Sequence, residues 1–598
     1  MSSMIIPPVF YYLAGALLLM FIKTERRELF YLRNAVLFAV PVISFLHLIQ
    51  IPEGVYLHYS FLSMDLALFR IDKLSLIFGY AFLIVSVAVI FYGMHLRSSK
   101  EFIIGLIYAG CGLGAVFAYD LISLYIFWEV MTVASTFLIW QKNTDEATQA
   151  GFRYFVFHLA GGLALLIGIV IYIITTGNTA FEHMGWTDTG TFLIMIGFGV
   201  NAAWPFLHTW LVDVYPRASF LGTVMLSVFT TKTAIYTLAR GFAGEEILIV
   251  AGAIMTAFPI FFAVLENDLR KVLSYSLINQ LGFMVVGIGV GTAMAVNAAV
   301  GQAFVHIMFK SLLFMGMGAV LHQTGKIKAS ELGGLYKYMP ITTIFTIIGS
   351  ATISAFPLFS AFVTKSMILS SVAYEGLAIV WLVLLFASAG VLDHSGIKIP
   401  FFAFFGHDSG LRPKEAPTNM LIGMGILAFI SIFIGVYPPA IYNIMPYAVD
   451  YNPYTGDHVV AQMQLLLFSI LAFTLLLRSG MYPAEIKAIN LDFDWFYRKG
   501  ARAFVWVVDN PFMAFMNRAK VLFFEAIPVT LSQLSKNPLG LLLSMVSNPE
   551  QRVHINRCII SEKDAYLDSM KKHWSIGLSV MLVILFLMVY LLIFLFVS

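Results

Sequence analysis

Long apolar runs recur along the whole chain, from 5-IIPPVFYYLAGALLLMFI-22 to the last two dozen residues, with short polar loops between them. A helix crossing a hydrocarbon layer of ~30 Å needs about 20 such residues. The pattern predicts about sixteen spans: 5–22, 34–51, 73–95, 102–119, 120–140, 152–175, 191–212, 218–240, 246–265, 272–293, 296–321, 341–370, 374–395, 418–440, 459–478 and 575–597. The two-residue alternation of a membrane β-barrel is missing. An all-α polytopic membrane protein is therefore expected.

Two spans are interrupted. In 197-GFGVNAAWPFLHTWLVDVYPRASF-220, Pro205 lies inside the apolar run and Pro216 ends it; in 349-GSATISAFPLFSAFVTKSMI-368, Pro357 precedes Lys365 by eight residues. Proline removes a backbone donor and crowds the preceding turn. A broken helix survives at membrane depth only where it is buried in protein or lines a cavity, and matching breaks in two repeats mark transporter ion sites. Kinked packing helices remain the other reading.

The loops add a second pattern. Lysine and arginine fall in alternate loops: 23-KTERRELFYLR-33, 96-LRSSK-100, Lys142 to Arg153, Arg217, Arg270/Lys271, Lys326/Lys328/Lys337, and Lys398/Arg412/Lys414. Intervening loops such as 176-TGNTAFEHMGWTDTG-190 carry neither. By the positive-inside rule the basic loops are cytoplasmic and both termini outside. Segment 479–574 is charge-rich and amphipathic (491-LDFDWFYRKGARAFVWVVDNPF-512), which fits a helix lying at the cytoplasmic interface or one bracing neighbouring subunits.

Composition narrows the function classes. Of 598 residues 60% are hydrophobic and 12% charged, half the ~25% charged share of a soluble domain. A net charge of +3 with no basic stripe gives no footprint for nucleic acid. Cys111 and Cys558 are far apart, with no C-x-x-C or His/Cys cluster, so no metal or iron–sulfur cofactor is expected on this chain. Neither G-x-G-x-x-G after a strand nor a P-loop occurs, and the first span lacks a cleavage site, so it reads as a retained helix.

The candidate chemistry is the charge inside the spans. Glu129 (127-FWEVMT-132), Lys232, Lys310 and Lys365 sit within apolar runs, joined by His158 and His306. A charge at the bilayer centre costs roughly 2.5–3.5 kcal/mol on insertion scales. His306 and Lys310 are four apart and share a helical face. Snorkelling lysines, a structural Glu–Lys pair and hydrogen-bonded packing histidines are the bland alternatives. In general, burial favours a neutral amine and a nearby carboxylate favours the ammonium, so such a lysine is switchable and can pass a proton along a chain of Lys, His, Glu and water. No nucleophile–base–orienter set is present, and an intramembrane protease or lipid transferase is disfavoured.

These residues lie in motifs that resemble one family. The motifs are 127-FWEVMT-132, 207-LHTWLVDVYPRAS-219, 231-TKTAIYTLAR-240, 268-DLRKVLSYSLINQLGFM-284, 306-HIMFKSLLF-314, 333-GGLYKYMP-340 and 357-PLFSAFVTK-365. Together they resemble the antiporter-like subunits of respiratory complex I, of Mrp-type cation/proton antiporters and of membrane-bound hydrogenases. The pieces 397-IKIPFFAFFGHDSGLRPKEAP-417 and 492-DFDWFYRKG-500 are more similar to the Mrp-like and hydrogenase-linked branch. The resemblance implies two inverted five-helix repeats, each with one broken helix. The implied organisation is N-terminal helices and an external loop at 1–100, repeats at 101–240 and 241–398, and C-terminal helices at 399–478. The amphipathic segment 479–574 and a final helix at 575–598 complete it.

It also implies roles. Glu129 matches the carboxylate of the first half-channel, Lys232 the connecting lysine, Lys310 the central lysine of the second half, Lys365 the exit residue and His306 a connecting histidine. One position departs: Asn201 stands where the first broken helix usually carries the lysine that pairs with the glutamate. Asparagine cannot be protonated. Glu129 then pairs elsewhere, with Lys232 the nearest candidate, or the first half works differently, for instance binding Na⁺ through the Asn201 carbonyl oxygen. The expectation is a proton-translocating chain, with Na⁺ exchange open, in a prokaryotic cell membrane, beside other membrane subunits that carry any redox centre. A standalone cation or solute transporter is the alternative, and a scaffold with a decayed channel a third.

Overall fold

The computed structural model describes residues 5–22, 26–61, 64–481 and 490–536, with scattered positions beyond. The expected span 575–597 lies outside the described residues, apart from one helical position at residue 583. The chain divides into two units, Met1–Asp492 and Phe493–Ser598.

The first unit is helical except for one hairpin. Its opening helices are α1 (Pro8–Phe21) and α2 (Arg27–Leu48), followed by antiparallel strands β1 (Gly54–Phe61) and β2 (Met64–Ile71). Then come α3 (Lys73–Gly93), α4 (Lys100–Phe117), α5 (Leu121–Trp140), α6 (Asp145–Thr176), α7 (Thr189–Asn201), α8 (Thr209–Val214) and α9 (Phe220–Gly241). A second run holds α10 (Glu246–Leu265), α11 (Leu269–Val290), α12 (Ala293–Thr324), α13 (Pro340–Ile353), α14 (Ser360–Tyr374) and α15 (Ala378–Val391). Beyond α15 the helix continues through two π-helical stretches, Leu392–Ile397 and Phe401–Phe405. The unit closes with α16 (Thr418–Val436) and α17 (Gly456–Arg478). Among the described residues, eleven helices are long and apolar enough to cross a membrane. The protein is an all-α polytopic membrane protein with a hairpin inserted where an external loop was expected.

Local chemistry sets the helix ends. Asp120 Oδ1 accepts from the Ser123 amide at 2.7 Å to start α5, and Asp268 accepts from the Arg270 and Lys271 amides to start α11. Thr144 and Thr292 cap α6 and α12 in the same way. Both of those helices are 32 residues long, and both end on a left-handed glycine, Gly177 (φ 68°) and Gly325 (φ 69°). A Cβ-free residue takes that conformation at no steric cost, freeing its amide to close the last turn.

The two runs share a second feature, the break. Between α7 and α8 the chain passes through Ala203 (φ 58°), Pro205 and Phe206 (φ 69°); between α13 and α14 it passes through Ala355 (φ 57°), Pro357 and Leu358 (φ 73°). A backbone amide just past each helix closes a five-residue turn, Trp204 to Gly199 O and Phe356 to Ala351 O, both at 3.1 Å. Pro41 and Pro259 also lie inside apolar helices, yet α2 and α10 run on through them. Proline alone therefore does not make the break. The left-handed pair around it does.

Burial sorts the helices. The apolar windows of α11 and α12 are 100% and 94% buried, whereas those of α6 and α17 are 33% and 11% buried. α11 and α12 form the centre, with α9, α10, α14 and α3 packed around them. The second unit contains a helix beginning at Asp494, extending with π-helical stretches to Lys536. Large apolar side chains along it, such as Phe504, Trp506 and Phe523, are exposed.

Candidate ion-translocation site

The central helices carry the polar groups. Lys232 on α9, Lys310 and His306 on α12, and Lys365 on α14 are at most 2% exposed. None of the three lysines has an ion-pair partner among the described residues. They are held in three different ways.

Lys232 Nζ turns back along its own helix, donating to Ser227 O at 2.6 Å and to Thr231 Oγ1 at 3.2 Å. Lys365 Nζ donates to Ile353 O at 2.9 Å and stands 4.9 Å from the Phe283 ring centre. Ile353 is the last residue of α13, so this ammonium caps the broken helix end, where backbone dipoles favour a cation. Among the described residues Lys310 Nζ has no hydrogen-bond partner, and neither ring nitrogen of His306 has one. An aromatic ring, Phe314, lies 5.8 Å from Lys310 Nζ, measured to the ring centre. The charges that bear on His306 are Lys232, Lys310 and Lys365. The histidine thus sits among all three lysines.

Glu129 does not meet Lys232. Its Oε1 is buried without a hydrogen-bond partner among the described residues, and the carboxylate lies against Gly162 of α6, where even a methyl group would collide with it. The adjacent Gly161 packs on Val200, next to Asn201. Asn201, the last residue of α7, is 1% exposed and its Nδ2 lacks a partner among the same residues. His158 stacks on Tyr154 at 3.9 Å, lies 4.4 Å from Trp210 and places Nδ1 3.0 Å from Tyr154 O, leaving Nε2 unpaired.

The two 32-residue helices make the halves comparable. His158 and His306 each lie thirteen residues past the first residue of α6 and α12, and Gly162 and Lys310 each lie seventeen past it. The first half therefore holds a glycine, filled by Glu129 from α5, where the second half holds a lysine.

Several polar groups escaped the sequence reading. Lys398, expected in a basic loop, is fully buried, with Nζ donating to Val264 O at 2.6 Å and Glu266 O at 2.8 Å. It caps the C-terminal end of α10. The apolar residues on both sides of it, 397-IKIPFFAFF-405, were the available signal. His394 sits in the first π-helical stretch with Nδ1 2.8 Å from Ser395 Oγ, which in turn donates to Ser276 Oγ at 2.8 Å. Its Nε2 is buried and unpaired among the described residues, and Lys310, Lys365 and Lys398 are the charges around it. A chain of buried amides crosses the centre as well. Thr364 Oγ1 donates to Gln302 Oε1 (2.5 Å), Gln302 Nε2 to Gln280 Oε1 (3.0 Å), Gln280 Nε2 to Asn279 Oδ1 (2.8 Å) and Asn279 Nδ2 to Thr256 O (2.5 Å). No hydropathy pattern would reveal it.

The basic loops do gather at one end. Lys142, Arg217, Arg270 and Lys271 line a single cavity of about 540 Å³. Near it, Glu266 pairs with Lys271 at 2.8 Å and accepts from Asn490. Asp492 accepts from Tyr275 Oη at 2.8 Å and lies 3.2 Å from His208 Nε2, just past the first break.

Residues 118–392 match the family described as NADH:quinone oxidoreductase/Mrp antiporter, transmembrane. An uncharacterised protein of Methanocaldococcus jannaschii is 26% identical over 364 residues, 57% of this chain and 75% of that protein. The largest-named relative by function, an Na⁺/H⁺ antiporter component of Alkalihalophilus pseudofirmus, is 28% identical over 432 residues, 63% of this chain and 53% of that protein. The chain thus spans about half the length of this antiporter relative. A chain of the Mrp complex from Dietzia sp. superposes with a TM-score of 0.74 at 23% identity, covering 91% of this chain and 63% of that one. Over residues 118–392 the chain therefore belongs to the NADH:quinone oxidoreductase/Mrp antiporter family, as one of its antiporter-like membrane members.

Proposed function

We propose that this chain is the ion-translocating membrane component of a multi-subunit antiporter or complex I-like assembly, and that protons cross it along Lys232, His306, Lys310 and Lys365. One observation carries the reading: Lys310 and His306 lie a helical turn apart at the centre, fully buried, and every side-chain nitrogen of both is unpartnered among the described residues. An ammonium left bare in a protein interior costs several kcal/mol, so such groups persist only where water or a mobile proton serves them. Glu129 and Asn201 form a separate first-half site without a lysine. Its carboxylate and neutral amide suit a cation better than a lysine-borne proton, which favours exchange with Na⁺, as the name of the Alkalihalophilus relative describes for that protein.

The remaining assignments follow from this reading. The two runs α4–α9 and α10–α15 act as the two half-channels, the basic end faces the cytoplasm of a prokaryotic cell, and both termini lie outside. Partner subunits complete the assembly and supply whatever drives it. The test is Lys310→Ala in native membranes. Proton flux should vanish while the chain still assembles with its co-purifying partners, and wild-type flux in the assembled variant would refute the reading. Measuring flux with and without Na⁺ then identifies the exchanged ion.

A further inference from the structure

A cavity of about 760 Å³ lies between α14, α15 and α17, and Lys365 forms part of its wall. Its lining is unusual for a space at membrane depth. On α14 the hydroxyls of Ser366 and Ser370, one turn apart, face it. On α17 His458, Gln462 and Ser469 face it, while Leu467, Leu471 and Leu475 on another face of that helix are more than half exposed. Polar side chains turned to lipid are costly, and α17 places this stripe on the cavity side instead. The inner end of the cavity reaches the second break, where Gln462 Nε2 donates to Ser354 O at 3.2 Å. At the other end Ser370 Oγ lies 3.1 Å from Tyr451 Oη and 3.4 Å from His458 Nε2. Tyr451 and His458 flank the end of the loop between α16 and α17, which carries neither lysine nor arginine.

We propose that this cavity is a water-filled vestibule through which the proton on Lys365 leaves the protein, with the Ser370–Tyr451–His458 cluster as its outer gate. The proposal rests on the translocation reading above and names the exit that reading lacks. In the step itself Lys365 Nζ gives one proton to vestibule water, which passes it to His458 and then to bulk solvent. Lys365 is left as a neutral amine, still donating to Ile353 O, until the buried row behind it supplies the next proton. Trp381 and Leu385 of α15 and Phe468 of α17 wall the space.

The experiment uses the full chain in native membrane vesicles, with Cys111→Ala and Cys558→Ala as background. Single cysteines at Ser366, Ser370 and Gln462 should react with a membrane-impermeant maleimide from one side only, and Leu467→Cys, which faces lipid, should not. His458→Phe, checked for assembly, should slow proton flux about a hundredfold, the lower end of what a positioned proton-transfer group contributes; Ser370→Ala serves as a milder second variant that should slow it less. Cavity cysteines as silent as Leu467→Cys, or wild-type flux in assembled His458→Phe, would overturn the proposal. The two readings fail separately. Labelled cysteines with normal flux in Lys310→Ala would remove the path that feeds the vestibule, whereas silent cysteines with an inactive Lys310→Ala would refute the vestibule alone.

Discussion

A buried charge can be satisfied by its own helix, by a helix end, or by nothing, and the lysines of this chain include all three cases. Lys232 and Lys365 have backbone carbonyls within 2.9 Å, and Lys310 has none among the described residues. Hydropathy finds each of them but cannot tell them apart, because the difference lies in where one ammonium points. The same holds for Glu129. Its depth was legible in 127-FWEVMT-132; its neighbour, Gly162 on α6, was not, since no spacing rule connects residues on different helices. Gly162→Ala should therefore lower stability by about 1–3 kcal/mol through overpacking against the carboxylate and reduce flux. Adding Glu129→Ala should relieve the stability loss, so the two changes will be non-additive in thermal-unfolding midpoints. Additive midpoints would mean that the two groups do not touch.

At the level of the element, caps and breaks were readable and their consequences only partly so. Asp120, Thr144, Asp268 and Thr292 announce helix starts by residue type. Pro205 and Pro357 announce the breaks, but the left-handed alanines beside them do not follow from sequence. A non-glycine residue held at positive φ costs of order 1–3 kcal/mol. Ala203→Gly should accordingly raise the thermal-unfolding midpoint of the assembled protein, whereas Ala203→Val should lower it; the opposite order would argue against the strained turn. The hairpin β1–β2 was missed because 54-GVYLHYSF-61 alternates too weakly to compete with the apolar runs beside it. Lys398 was placed in a loop for a related reason. The π-helical continuation of α15 carries it inward to the end of α10, a path that helical periodicity does not foresee. Lys398→Met leaves those carbonyls without a donor. It should cost about 1–3 kcal/mol and impair assembly, in contrast to Lys310→Ala, which removes a group with no partner to disappoint. Equal recovery of the two variants from membranes would contradict that distinction.

For the whole molecule, the polytopic class, the span order and the gathering of basic loops at one end were legible, because the bilayer constrains length and charge so strongly. The tie between the end of the first unit and its centre was not. Asp492 bonds Tyr275 of α11 and His208 beside the first break, joining segments more than 200 residues apart. Asp492→Ala should leave two buried donors unpaired, costing about 2–3 kcal/mol, and lower the unfolding midpoint even though residue 492 is remote in sequence from the helices it ties; an unchanged midpoint would show the tie to be dispensable. The paired 32-residue helices have a consequence of another kind. One half fills a glycine notch with a carboxylate from the neighbouring helix, and the other grows a lysine from the equivalent place on the helix itself. A lineage could not convert one arrangement into the other by single substitutions without passing through a form in which two side chains claim one space or none fills it. That steric ridge would keep the two halves apart over evolutionary time, so that duplicated machinery drifts toward two trades instead of back toward one.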